Sequence, residues 1–144
     1  MTIQSFDGEH RFLSNFYPSE IEIDGIIYPS AENAYQAYKT EDNKIRQKIA
    51  SMRNPVVCKR YAKTIALRDG WNDMRIKVMK FVVLRKFTTH KQLATKLLNT
   101  NDEELIEGNW WNDTFWGVCR GKGQNNLGKI LMEIRKTLRD QQSS

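Results

Sequence analysis

The sequence predicts an α+β fold, a single helix-dominated domain carrying a small antiparallel β-hairpin near its N-terminus. Asp24-Gly25, a favoured two-residue hairpin turn, separates Ile21-Glu22-Ile23 from Ile26-Ile27-Tyr28. Beyond Pro29, successive stretches repeat apolar residues at the helical period. A length of 144 residues, 40% hydrophobic and 28% charged, suits one domain over 1–144 with a real core, spanning about 6–138.

Taken in order, residues 3–28 read as strand and loop. Pro29 breaks the second strand, and Ser30 caps a helix that runs through Lys39. Residues 43–52 place Ile45, Ile49 and Met52 on one face. Asn54-Pro55 stops that helix and starts another, which reaches about Arg68 before Asp69-Gly70 breaks it. The longest helix covers 72–87, with Ile76, Met79, Val83 and Phe87 as its apolar stripe. Leu93, Leu97 and Leu98 suit a short helix, and Leu105-Ile106-Glu107 suits a strand. Residues 108–124 are rich in Gly, Asn and Trp and lack periodicity. Leu127, Ile130, Leu131, Ile134 and Leu138 make a closing amphipathic helix, and residues 140–144 read as a frayed tail. The chain shows no repeat, linker or low-complexity segment.

A net charge of +6 and a pI near 9.4 point to an anionic partner, whether phosphate, nucleotide or nucleic acid. A basic solvated surface is the alternative on charge alone. Cys58 and Cys119 lack a CxxC spacing, and the two histidines, His10 and His90, lie far apart, so neither a disulfide framework nor a metal centre is expected. No cofactor motif appears. With no apolar run near ~18 residues and no signal peptide, the chain reads as cytoplasmic, without a membrane partner. Nothing in the sequence fixes an oligomeric state.

The Ser30-to-Lys39 helix carries the most unusual pattern. Glu32, Tyr35, Gln36 and Lys39 fall at i, i+3, i+4 and i+7, on one face that should pack inward. Buried polar groups are costly unless paired, so such a stripe marks a candidate site; the alternative is a Glu32 that merely favours the helix dipole. Asn33 stands where a capping box needs Glu or Gln.

The 108–126 segment is long for a structureless loop, and Trp110, Trp111, Phe115 and Trp116 argue against disorder. Asp113 precedes Trp116-Gly117, pairing a carboxylate with an aromatic platform; a turn-capping Asp beside a core Trp is the plainer alternative. Gly121-Lys122-Gly123 leads through Asn125 into the last helix, a weak phosphate-binding signal without Walker A spacing. Near the start, Ser14 and Asn15, followed by Phe16, either hydrogen-bond a ribose or base edge or form a local turn.

Together these pieces resemble the NADAR (YbiA-like) superfamily of N-glycosidases. The resemblance runs from about Phe6 to Leu138, through Phe12-Leu-Ser-Asn-Phe16, Asp24-Gly25, Tyr28-Pro-Ser-Ala-Glu32, Tyr35-Gln36, Lys39, Trp71, Met79 and Arg85-Lys-Phe87. It continues with Glu107, Asp113, Trp116-Gly117, Gly121 to Gly128, and Leu131 to Arg135. It implies a YbiA-like fold and an enzyme cutting N-glycosidic bonds of ribosyl compounds. The substrates it implies are phosphorylated ribosylamino-pyrimidine intermediates of riboflavin synthesis or ADP-ribose on guanine bases, free or in nucleic acid. The implied site is Glu32, Trp71, Asp113 and Trp116, with Lys39 on the Glu32 helix. Val118-Cys119-Arg120 departs from the family pattern, and Arg120 with Lys122 tilts the expectation toward an ADP-ribosyl substrate.

N-glycoside cleavage develops positive charge at the anomeric carbon and negative charge on the departing base. Glu32 is expected at the sugar, and Asp113 on water or the leaving amine. Lys39 is either a nucleophile forming a Schiff base with the sugar or a phosphate contact. Trp71 and Trp116 would wall the base. Ser14, Asn15, Phe16, Tyr35, Gln36, Gly117, Arg120, Lys122 and Asn125 complete the expected binding set.

Overall fold

The computed structural model describes residues 1–142; Ser143 and Ser144, read as part of the frayed tail, lie outside the described residues. Helix dominates, as expected, with three short two-stranded sheets among the described residues. The chain divides into two compact units, one Asn15–Thr89 and the other Met1–Ser14 with the chain from His90 onward.

Within Asn15–Thr89, strands β2 (Pro18–Ile23) and β3 (Ile26–Ser30) form the predicted hairpin, following the short strand β1 (Thr2–Ile3) of the other unit. Asp24 and Gly25 have φ of 52° and 82°, the two positive values that a type I′ turn needs, and this turn matches strand twist. Pro29 does not end the strand. It lies inside β3, where a two-stranded sheet leaves an edge that tolerates its missing N–H. Ile21, Ile23 and Tyr28 point into the core.

Helix α1 (Ala31–Ala37) is shorter than its sequence pattern suggests. Tyr38 and Lys39 bond back to the carbonyls of Tyr35 and Gln36 at 3.2 Å, a tightened i→i+3 turn that places Lys39 just past the helix. Helix α2 (Asn43–Ala50) is capped by Asp42 and buries Ile49. Helix α3 (Pro55–Ala62) starts at Asn54-Pro55 as predicted but stops well before Arg68. Lys63, Thr64 and Ile65 close on i→i+3 bonds, and the Thr64 hydroxyl takes the Tyr61 carbonyl at 2.7 Å, which competes with further helix. Helix α4 (Trp71–Thr89) buries Trp71, Met79, Val83 and Phe87, with Val78, Val82 and Lys86 beside them. Ile76, expected on this stripe, is 45% exposed.

In the other unit, a 3₁₀ helix at Gly8–Leu13 occupies a stretch read as strand and loop, burying Phe12 and Leu13. Helix α5 (Lys91–Leu98) packs Leu93 and Leu97 against α6 (Asn126–Gln142), while Leu98 stays half-buried. Strand β4 (Glu104–Leu105) pairs in parallel with β1, and β5 (Gly108–Asn109) pairs in parallel with β6 (Val118–Cys119). All five predicted apolar residues of α6 are buried. The helix continues through Gln142, so residues 140–142 are its last turn rather than a frayed end.

Candidate active site

Ser30 fixes the start of α1. Its Oγ accepts the Asn33 N–H at 3.2 Å and donates to Asn33 Oδ1 at 2.6 Å. The Asn33 amide then donates to the carbonyls of Ile49 and Met52 at 2.9 and 2.7 Å, tying α1 to the end of α2. The residue that prevents a capping box is therefore a buried anchor. Glu32, between cap and anchor, donates its N–H to the Asn15 carbonyl at 3.0 Å. Its side chain is 6% exposed and accepts from Gln36 Nε2 at 2.5 Å.

The i, i+3, i+4 part of the polar stripe thus faces inward: Tyr35 and Gln36 are 5% and 3% exposed. Lys39 reaches the same region from the turn after the helix, its Nζ 5.9 Å from the Tyr35 ring centroid. Its backbone is held by Arg68, whose N–H donates to the Lys39 carbonyl at 2.8 Å. Burial lowers the Lys39 pKa; the Glu32 carboxylate opposes this, and Lys59 adds to it. The Tyr35 and Trp71 rings sit 5.4 Å apart at 52°, a buried aromatic wall. Gly70, with φ of 74°, turns the chain into α4 so that Trp71 is its first residue.

Asn15 is buried and donates through Nδ2 to Met79 Sδ at 3.2 Å, while half-buried Phe16 lies 5.8 Å from Lys59 Nζ. Cys58 and Lys59 of α3, both absent from the sequence-derived set, sit within electrostatic reach of Lys39. No local pattern around them signals this, because α3 meets α1 only in the fold. Burial and the Glu32 carboxylate push the Cys58 thiol up to about 12, so it stays protonated and unreactive.

The remaining expected residues lie in the other unit. Asp113 Oδ1 accepts the N–H groups of Phe115 and Trp116 at 3.1 and 2.9 Å, so this carboxylate caps a turn. Asn109, which the sequence did not single out, organises the same loop. Its amide accepts from Asp113 N–H at 3.1 Å and donates to the Asp113 carbonyl at 2.8 Å and to Glu107 Oε2 at 3.0 Å. Trp116 packs edge-on to Phe115, whereas Trp110 and Trp111 are exposed.

Gly117 is required by packing: a Cβ there would collide with the Glu107 carboxylate and carbonyl. Ser14 closes the 3₁₀ helix, donating its N–H to the Arg11 carbonyl. Both amide atoms of Asn125 are engaged, with Glu107 N–H and the Leu105 carbonyl, at 2.9 Å each. Arg120 and Gly121 form a positive-φ turn closed by Cys119 and Lys122. The N–H groups of residues 124–127 are taken by carbonyls of 114–117, so any anion contact here falls to the exposed Lys122 and Arg120 side chains. Arg120 also donates to Asn112 Oδ1 at 2.9 Å.

Among the described residues, no three His, Cys, Asp or Glu side chains cluster as metal ligands, and no helix is long and apolar enough to cross a membrane. The NADAR domain family matches residues 4–139, and the chain belongs to that family. The chain is 37% identical over 137 residues to the N-glycosidase YbiA of Escherichia coli, covering 93% of this chain and 85% of that one. It is 39% identical over 137 residues to a riboflavin biosynthesis protein of Vibrio vulnificus, covering 93% of this chain but only 37% of that protein. The NMR structure of Escherichia coli YbiA superposes with a TM-score of 0.88 at 33% identity, over 100% of this chain and 87% of that one.

Proposed function

We propose that this chain is an N-glycosidase that cleaves the bond between ribose C1 and a base nitrogen, with an ADP-ribosyl compound such as ADP-ribosylated guanine as substrate. The observation that carries the reading is the buried Glu32 carboxylate, pinned by Gln36, with a half-buried lysine and the Tyr35–Trp71 pair in the same unit. Binding alone needs an aromatic wall and a few donors. It does not need a buried carboxylate beside an amine whose pKa burial has lowered.

In this mechanism Glu32 stabilises the positive charge that grows at C1 as the glycosidic bond weakens. Lys39, whose pKa burial lowers, supplies the nucleophile through its neutral amine. Its lone pair bonds C1 while the C1–N bond breaks, the electron pair leaving with the base, which takes up a proton. The ring oxygen then departs from C1, protonated, as a C1=N imine forms, and water returns the free sugar and the amine. Asp113, in the other unit, caps the Phe115–Trp116 turn through Oδ1. Tyr35 and Trp71 provide aromatic surface for the ligand.

A second reading, cleavage of a phosphorylated ribosylamino-pyrimidine, is favoured by the name of the Vibrio vulnificus relative, a riboflavin biosynthesis protein. Incubation with ADP-ribosylated guanosine and, separately, with the pyrimidine riboside phosphate, followed by chromatography, tests both. Release of ADP-ribose from the first supports the primary reading. Release of ribose 5-phosphate from the second alone favours the other. Tight ADP-ribose binding without release from either would instead mark a non-catalytic binding module.

A further inference from the structure

Gln36 and Asn15 share a property that their expected roles in binding do not explain. Gln36 is 3% exposed, and its amide has only one workable orientation, because Nε2 must face the Glu32 carboxylate it donates to. That orientation fixes Oε1 as an acceptor, and Oε1 makes no hydrogen bond although it is buried. Asn15 is 7% exposed, and its Oδ1 is likewise buried without a hydrogen bond. Its backbone carbonyl accepts the Glu32 N–H, and its Nδ2 donates to Met79 Sδ, so both residues are tied to Glu32, Gln36 through its side chain and Asn15 through its backbone. Native proteins rarely leave buried acceptors unsatisfied, and where they do, a ligand donor is a physical reason.

Two acceptors and a carboxylate call for a ligand rich in donors. Lys39, Lys59 and Lys63 all act electrostatically on this region, which disfavours a cationic ligand and leaves neutral hydroxyls. With Glu32 placed at C1, the group that reaches Gln36 Oε1 is the hydroxyl on the adjacent carbon. We infer that Asn15 and Gln36 form an acceptor clamp for the vicinal hydroxyls of the sugar, with Gln36 taking the 2-hydroxyl, so that the site selects ribose over 2-deoxyribose. This inference rests on the proposed placement of Glu32 at the sugar and adds the specificity of the same site.

Calorimetric titration with D-ribose 5-phosphate and with 2-deoxy-D-ribose 5-phosphate tests the clamp without turnover. The intact protein should prefer ribose 5-phosphate by at least ~10-fold, the factor expected when a buried acceptor loses its donor. Gln36→Lys keeps a donor for Glu32 and removes the acceptor; Gln36→Met and Asn15→Leu remove acceptors without adding charge. A ratio near one in the Gln36 variants supports the assignment, and because it compares two ligands on one protein, a general loss of stability does not imitate it. Equal binding of the two sugars by the intact protein, no binding of either, or an unchanged ratio in folded Gln36 variants overturns it. A preserved ribose preference without cleavage of any ribosyl substrate removes the N-glycosidase reading and leaves the clamp. Cleavage with no sugar preference removes the clamp and leaves the N-glycosidase.

Discussion

Gln36 donates to the Glu32 carboxylate from one turn further along α1, and both side chains are more than 90% buried. A hydrogen bond at i, i+4 inside a protein fixes the carboxylate rotamer at little cost, because both groups already share the helix face. Glu32→Gln keeps the shape and can still accept from Gln36, but it removes the negative charge. The expected result is a folded protein with an unchanged melting temperature within a few degrees and a rate at least ~10²-fold lower. Turnover at the parent rate would take Glu32 out of the mechanism.

The Lys39 assignment makes a chemical prediction and a pH prediction. Borohydride added during turnover should reduce the imine and leave the sugar attached to Lys39, detectable as a mass increment on its peptide; Lys39→Arg should abolish both the adduct and turnover. Burial lowers the Lys39 pKa, and the neighbouring Lys59 charge lowers it further. Only the neutral amine attacks, so the rate rises with pH as Lys39 loses its proton. Lys59→Met removes a repelling charge, the Lys39 pKa rises, and the rising limb of the pH–rate profile moves to higher pH. A limb that stays in place would separate Lys39 from the titrating group.

How much of this was legible depends on how local each signal is. Asp24-Gly25 announced its hairpin because the turn needs only two residues of the right conformational tolerance, and α6 announced itself through five apolar residues at a helical period. Leu105 showed in the sequence as part of a short strand, but the parallel pairings β1–β4 and β5–β6 did not, since each rests on only two residues a side, too few for an alternating pattern. Ile76 failed as a core residue and Lys86 went unnoticed for one shared reason: the buried face of α4 is chosen by what packs on it. At the candidate site, the Glu32–Gln36 spacing was readable from the helix alone. Asn33, Cys58 and Lys59 were not, because their partners come from other helices.

Gly117 stood in the expected binding set, yet its neighbours give it a packing role. Its Cα faces the Glu107 carboxylate and carbonyl so closely that no Cβ fits, and the backbone carbonyl cannot swing aside. Gly117→Ala is expected to lower stability by about 1–3 kcal/mol through overpacking. Urea titration should show a reduced midpoint with an unchanged slope. A variant as stable as the parent would mean that the Glu107 loop shifts freely, contrary to its hydrogen bonds with Asn109 and Asn125.

Lys86 of α4 is fully buried, with its ammonium 5.1 Å from the Phe87 ring centroid and 5.8 Å from that of Tyr17. Burial pushes its pKa down to about 7 from the ordinary 10.5. In the unfolded chain the same amine keeps its proton until the ordinary value is reached. Between these two values the unfolded state therefore binds more protons than the native state, and stability rises with pH across that window. Below the folded value both states are protonated and this contribution is flat, at its least favourable. At ~1.4 kcal/mol per pH unit, the full window is worth at most about 5 kcal/mol, reduced by whatever its neighbours, the aromatic rings among them, return to the charged form. Lys86→Met keeps most of the volume and removes the proton linkage. Urea unfolding at neutral pH should find this variant more stable than the parent, and the gap should narrow as the pH approaches 10. A gap of constant size across that range would mean that Lys86 holds its charge in the folded core, and that its contacts there compensate fully for the water it has lost.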